Sequence, residues 1–301
     1  MSKPLIIGSR GSDLALWQAN FVQSELKKRG VISEIKIIKT QGDAIQHLSF
    51  DKMEGKGFFT KEIEEQLLNK TIDIAVHSHK DLETTQPEGL CIAAVSDRED
   101  PSEYVLIKKD AVDPNRPNQL KLGAVVGTSS ARRKSQLLAT NPDVKIKDLR
   151  GNVPTRINKL RTQDYDAIML AKAGVKRLGI NLDEFYVSCL SPKEFVPAPA
   201  QGVLGIQIRQ EDDDLKKILA PLNNESVAAR IAIERKVLKM MDGGCQLPLG
   251  VYCEQEASGF RLWTAYAEAW NAPLVKGEYF GEQAEELVSN AVNQLRKKKV
   301  Y

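Results

Sequence analysis

The residues of this 301-residue chain that could do chemistry gather just after short apolar runs. Arg10 and Ser12 follow the run 5–8, and Ser78, Lys80 and Asp81 follow the run 71–77. Thr128, Ser129, Ser130, Arg132 and Arg133 follow 123–127. Arg150 and Asn152 follow 144–149, with Arg156 a turn further on, and Lys172 and Arg177 follow 166–171. Ligands of open α/β sheets bind beyond the carboxyl ends of the strands, so these positions read as binding loops. Free N–H groups at a helix start attract anions, and hydroxyls with two Arg in the first turn add donors and charge. The expected ligand is multiply anionic. Guanidinium forks suit carboxylate and phosphate alike, while the lack of a Gly-rich nucleotide loop weighs against a nucleotide.

Asp81 is the acidic residue that closes a strand within this cationic set. It reads either as an ion-pair partner of Lys80 or a nearby Arg, or as a group that shuttles a proton and stabilises a developing cation. His77 and His79 share a face of an extended segment, but the chain has 3 His and no Cys or Glu ligand beside them. No metal site is expected. Cys91, Cys189, Cys245 and Cys253 stand apart without a C-x-x-C pair, which points to reduced thiols. Cys245 follows Gly243 and Gly244 after a long helical pattern, where the backbone can approach another molecule closely.

Those loops need a scaffold, and the recurring order of apolar run, small polar loop and helical pattern is βαβ. The first instance pairs 5–8 with a helix whose Leu14, Trp17 and Phe21 share one face, a stripe read as core packing, capped by Ser12 or Asp13. Strand 34–39, helix 60–69 and strand 71–77 complete a first lobe. After Arg98-Glu99-Asp100-Pro101 a second series follows, with strands 104–108, 123–127, 144–149 and 166–171 and helices 131–139 and 155–162. Strand 203–209 could close either lobe. Past residue 222, a helix, three strands and a last helix suggest a small α+β domain. Lys plus Arg number 43 against 40 acidic residues, too balanced for a nucleic-acid binder. No apolar run spans a membrane and no signal segment opens the chain, so a cytoplasmic protein is expected.

The segments GSRGSDLALWQA from Gly8, GKGFFTKE from Gly55, DIAVHSHKD from Asp73, REDP from Arg98 and GTSSARR from Gly127 come in a telling order. They continue with LRGNVPTR from Leu149, YDAIMLAKAG from Tyr165, PAPAQG from Pro197 and GGCQLP from Gly243. In these motifs the chain resembles, nearly end to end, the porphobilinogen deaminases, also called hydroxymethylbilane synthases. The resemblance implies α/β architecture: two periplasmic-binding-protein-like lobes with mixed sheets plus a smaller α+β C-terminal domain. Implied boundaries are 1–98 with 197–217 for domain 1, 102–193 for domain 2 and 222–301 for domain 3. The implied reaction joins four porphobilinogen molecules head to tail with loss of ammonia, giving linear hydroxymethylbilane for tetrapyrrole synthesis.

The resemblance also assigns residues. Cys245 would carry a dipyrromethane cofactor through a thioether, and Asp81 would be the catalytic acid–base. Ser78, Lys80, Thr128, Ser129, Ser130, Arg132, Arg133 and Arg156 would hold the cofactor. Arg10, Ser12, Gln18, Arg150, Asn152, Arg177 and Gln201 would hold substrate carboxylates. A monomer acting on porphobilinogen, with no nucleic-acid or membrane partner, is the expectation. His79, Pro154, Ala200 and a short C-terminal domain depart from the family pattern, and Pro154 suits a first helical turn. The competing class is a two-lobed anion-binding protein without catalysis, which has no use for Asp81 or a modified Cys245.

Overall fold

A computed structural model describes residues 3–40, 60–244 and 246–297. The chain runs through β1 (Leu5–Ser9), α1 (Asp13–Lys28), β2 (Ser33–Ile37), α2 (Lys61–Leu68), β3 (Ile74–Ser78), β4 (Leu90–Val95) and β5 (Glu103–Lys108). Next come β6 (Val125–Gly127), α3 (Ala131–Thr140), β7 (Lys145–Lys147), α4 (Val153–Thr162), β8 (Ala167–Ala171), α5 (Lys172–Leu178) and β9 (Phe185–Leu190). It ends with β10 (Leu204–Arg209), α6 (Asp213–Leu219), α7 (Glu225–Met240), β11 (Leu249–Glu256), β12 (Gly259–Tyr266), β13 (Val275–Gly281) and α8 (Ala284–Lys297).

The described residues form two units, one of 3–40, 60–99 and 202–229, the other of 100–201 and 230–297. The first has the sheet order β2-β1-β3-β10-β4 and the second β7-β6-β8-β5-β9, beside a three-stranded sheet β11-β12-β13. The two five-stranded sheets share one plan: three parallel strands, then one antiparallel strand, then an edge. The expected mixed-sheet α/β lobes and smaller α+β segment are what is found. The antiparallel place is filled by β5, the opening strand of its unit, but by β10 in the first unit, which the chain reaches only after leaving and returning.

A repeated aspartate sets the register at the entrance of both sheets. Asp73 Oδ2 accepts from Ile6 N at 2.9 Å and Asp166 Oδ2 accepts from Val125 N at 2.8 Å, satisfying strand-edge donors that would otherwise be buried unpaired. The other oxygen of each meets a cation, Arg209 Nη2 at 3.1 Å and Lys121 Nζ at 2.7 Å.

Several local expectations change. The Leu14-Trp17-Phe21 stripe is not the core face of α1: Gln18, Ala19, Val22 and Leu26 are buried instead, while Phe21 is 36% exposed and stacked on Trp17 at 5.7 Å. The inner face lies roughly a third of a turn round from that stripe, at 100° per residue. Gln18 turns inward because its amide finds a partner there. The strand expected over 144–149 holds only Lys145–Lys147, since the backbone N–H and C=O of Leu149 bond to Ser129 Oγ rather than to a neighbouring strand. Strands β4 and β9 and helices α5 and α6 add to the expected elements.

Ala200 has φ 61°, a left-handed conformation that costs a side-chain-bearing residue about 1–2 kcal/mol. Its N–H is held by Glu234 Oε2 at 2.7 Å, which fixes it there. Glycine relieves the Cβ clash but loses more entropy on folding, about 0.5–1 kcal/mol. Ala200→Gly should therefore stabilise the chain by roughly 0.5 kcal/mol, read as a higher urea midpoint at unchanged slope; a lower midpoint would contradict the strain.

Candidate active site

In the first unit, the ends of β1 and β3 carry the chemistry. Ser12 caps α1, its Oγ accepting from Ala15 N at 3.4 Å, with half-buried Arg10 just before it. Ser78 Oγ accepts from Gln18 Nε2 at 2.7 Å, so two expected site residues are joined directly and Gln18 is only 2% exposed. After Ser78 the chain tightens into a 3₁₀ turn, His79–Asp81. His79 N donates to Val203 O at 2.9 Å and its ring lies against Gly205, where a Cβ would come within 3.1 Å of the imidazole. With His79 tucked in, the turn leaves Lys80 half-buried and Asp81 exposed. The Asp81 carboxylate makes no hydrogen bond or ion pair with another described residue, so the ion-pair alternative has no partner there.

Behind this turn, His77 is buried and its Nε2 lies 3.0 Å from Gln207 Oε1. Gln207 Nε2 donates to Glu64 Oε1 at 3.0 Å and to Gln86 Oε1 at 2.9 Å. Its own oxygen must therefore accept, which makes His77 the Nε2–H tautomer. Burial pulls the His77 pKa down to about 4, the Gln207 bond opposing and the Arg10 charge reinforcing the shift. Burial also raises the Glu64 pKa. Among the described residues no cluster of His, Cys, Asp and Glu could hold a metal ion.

In the second unit, the turn after β6 is tied down from inside. Thr128 Oγ1 accepts from Ser130 N at 3.3 Å, and Ser130 caps α3, accepting from Arg133 N at 3.4 Å. Ser129 Oγ is buried, donating to Leu149 O at 3.1 Å and accepting from Leu149 N at 3.0 Å. That bridge brings the turn of Thr128 and Ser130 beside the turn that bears Arg150. There Asn152 caps α4 by accepting from Thr155 N at 2.9 Å, Pro154 falls in the first turn as expected, and Arg156 Nε donates to Gly151 O at 2.7 Å. Arg177 is half-buried on α5.

Arg132 and Arg133 point inward, 6% and 5% exposed, onto the fully buried Glu103. Gln201, also fully buried, donates to Pro101 O at 2.7 Å and to Glu103 Oε1 at 3.1 Å. Sequence reasoning missed Glu103 and Gln207. The available signal was polarity at inward positions of apolar strands, Glu103 opening β5 and Gln207 within β10. Cys245 and the GKGFF segment lie outside the described residues.

Taken separately, each unit offers cations and hydroxyls at strand ends, and the first adds an uncommitted carboxylate, which defines an α/β class built to handle anionic ligands. The family model "Porphobilinogen deaminase, dipyromethane cofactor binding domain" matches residues 5–217, which span both five-stranded sheets. The chain is 42% identical over 303 residues to a porphobilinogen deaminase of Fusobacterium nucleatum, covering 97% of this chain and 99% of that one. It is 40% identical over 295 residues to one from Oceanobacillus iheyensis, covering 97% and 94%. Among solved structures, the periplasmic VFT2 domain of Bordetella pertussis BvgS aligns with TM-score 0.43 at 13% identity, over 76% of this chain and 92% of that domain. The chain belongs to the porphobilinogen deaminase family and is an enzyme of tetrapyrrole biosynthesis.

Proposed function

We propose that this chain joins four porphobilinogen molecules head to tail, with Asp81 as its acid–base residue and Cys245 as the thioether anchor of a dipyrromethane cofactor. The observation that carries the reading is the uncommitted Asp81 carboxylate on the turn after β3, one residue from Lys80. Each condensation breaks the carbon–nitrogen bond of a substrate aminomethyl group and releases ammonia. Asp81 steers the proton on the departing amine and offsets the positive charge that builds on the substrate's methylene carbon. Arg10, Ser12, Gln18, Arg150, Asn152 and Arg177 answer the acetate and propionate of each added unit, which would be costly to desolvate unpaired. Gln201, expected among them, is fully buried with both amide hydrogens given to Pro101 O and Glu103, so it supports the site from within rather than meeting a substrate carboxylate.

The second unit suits a carboxylate-bearing cofactor. Arg132 and Arg133 share one carboxylate, Glu103, and Arg133 Nε is buried without a hydrogen-bond partner, so the cluster holds a surplus positive charge and a spare donor. Ser78, Lys80, Thr128, Ser129, Ser130, Arg132, Arg133 and Arg156 are the residues proposed to hold the dipyrromethane. When bound, that group supplies an electron-rich pyrrole carbon and its own carboxylates. No described helix is long and apolar enough to cross a membrane, and we place the chain in the cytoplasm as a monomer of three domains, 1–98 with 197–217, 102–193 and 222–301.

Intact mass of the purified chain tests this reading. The expected result is an excess equal to two pyrrole units that disappears in Cys245→Ala. An unmodified chain that consumes no porphobilinogen would instead indicate the anion-binding protein without catalysis.

A further inference from the structure

Glu103 is the one carboxylate that both Arg132 and Arg133 meet among the described ion pairs, and it divides its two oxygens between them. Arg132 Nη2 donates to Oε1 at 2.7 Å and Arg133 Nη2 to Oε2 at 2.7 Å. The other Nη of each is spent on a backbone carbonyl, Val196 O and Met169 O, both at 3.1 Å. Every anchor of the two forks thus belongs to a strand or to the segment leading out of β9, so neither guanidinium can swing without breaking two bonds. Gln201 locks the carboxylate from a third direction.

Two cations on one anion leave a net positive charge where little water reaches, an arrangement that a buried site tolerates only at a cost. Desolvation lowers the Arg132 pKa, and the neighbouring Arg133 charge adds to that effect. A second carboxylate would complete the cluster, and the buried, unpartnered Arg133 Nε is a donor in wait for it.

We infer that Glu103 is a positioning residue, which presets Arg132 and Arg133 as a single cationic pair at the start of α3 to receive a carboxylate of the cofactor. The inference rests on the reading that the second unit holds dipyrromethane. A carboxylate is needed because both of its oxygens accept. The amide of Gln would turn an NH₂ group against one guanidinium and release that fork, whereas Asp keeps the charge but draws it back by one methylene.

The test uses chain produced without porphobilinogen and then given porphobilinogen, with the gain of the two-pyrrole mass followed over time. Glu103→Asp and Glu103→Gln are compared with Leu137→Ala, a core change on the same helix that lowers stability but removes none of the hydrogen bonds that hold the two guanidiniums. Near-ultraviolet circular dichroism and Tm report folding of each. The Glu103 variants should load at least tenfold more slowly than wild type, while Leu137→Ala loads at the wild-type rate despite an equal or larger fall in Tm. If Glu103→Gln does not fold, Glu103→Asp decides alone. Wild-type loading by Glu103→Asp, or equal slowing by Leu137→Ala, overturns the positioning role. A wild-type chain that never gains the mass overturns the cofactor reading itself.

Discussion

Asp81→Asn should lower the rate of ammonia release from porphobilinogen by about a thousandfold, within the range of roughly 10²–10⁴ seen when acid–base groups are removed. That corresponds to about 4 kcal/mol of barrier. Asn matches Asp in shape and hydrogen-bonding reach but carries no charge and takes up no proton, so both contributions, steering the amine's proton and offsetting the cation, vanish together. Stability should be unaffected, because the exposed Asp81 side chain has no hydrogen bond or ion pair with another described residue to lose. The turn itself is held by backbone bonds, Leu82 N to His79 O and His79 N to Val203 O. Asp81→Glu, which keeps the charge on a longer stem, should recover part of the rate. Ammonia release and unfolding curves measured side by side give the answer. A near-wild-type rate in Asp81→Asn would remove Asp81 from the chemistry, and a large fall in Tm would show that the rate loss was structural.

The parts of this fold that could be read from sequence are those whose cause is local. A βαβ unit announces itself because the strand, the capping loop and the amphipathic helix follow one another, as in β1–α1–β2 and β6–α3–β7. The antiparallel members have no such signature. Strand 203–209 could not be assigned to a lobe from its own residues; it pairs with β3 and β4, more than a hundred residues earlier. β4 and β9 escaped the βαβ reading because each is an edge strand paired with an antiparallel neighbour rather than fed by a crossover helix. The site divides the same way. Arg10, Asp81, Thr128, Ser130, Arg150 and Asn152 were recognisable from their position after strands, and Ser12 from helix capping as well. That Arg132 and Arg133 turn inward could not be read, since their partner Glu103 lies about thirty residues upstream in another element. The stripe on α1 misled for a related reason: hydrophobic periodicity cannot see that Gln18 gains a hydrogen bond to Ser78 by facing in.

Acidification should weaken the fold well before carboxylates are titrated, and His77 is the cause. Its pKa is about 4 in the folded chain against an ordinary value of 6.5, because burial penalises the imidazolium. A base with a depressed pKa binds fewer protons when folded than when unfolded. Its contribution to stability is therefore constant above pH 6.5 and is lost as pH falls from 6.5 toward 4. The full loss is about 3 kcal/mol, of which about 2 kcal/mol is gone by pH 5, a large share of a typical folding free energy. Glu64, in the same network, acts with the opposite sign: its raised pKa favours the protonated carboxyl in the folded chain and offsets part of the loss at the acid end. His77→Gln separates the two. Gln can still donate to Gln207 Oε1 but does not titrate, so the variant starts less stable at pH 7.5 and then loses about 2 kcal/mol less than wild type on the way to pH 5. Urea unfolding at both pH values measures this, and parallel losses in the two proteins would show that the acid sensitivity arises elsewhere.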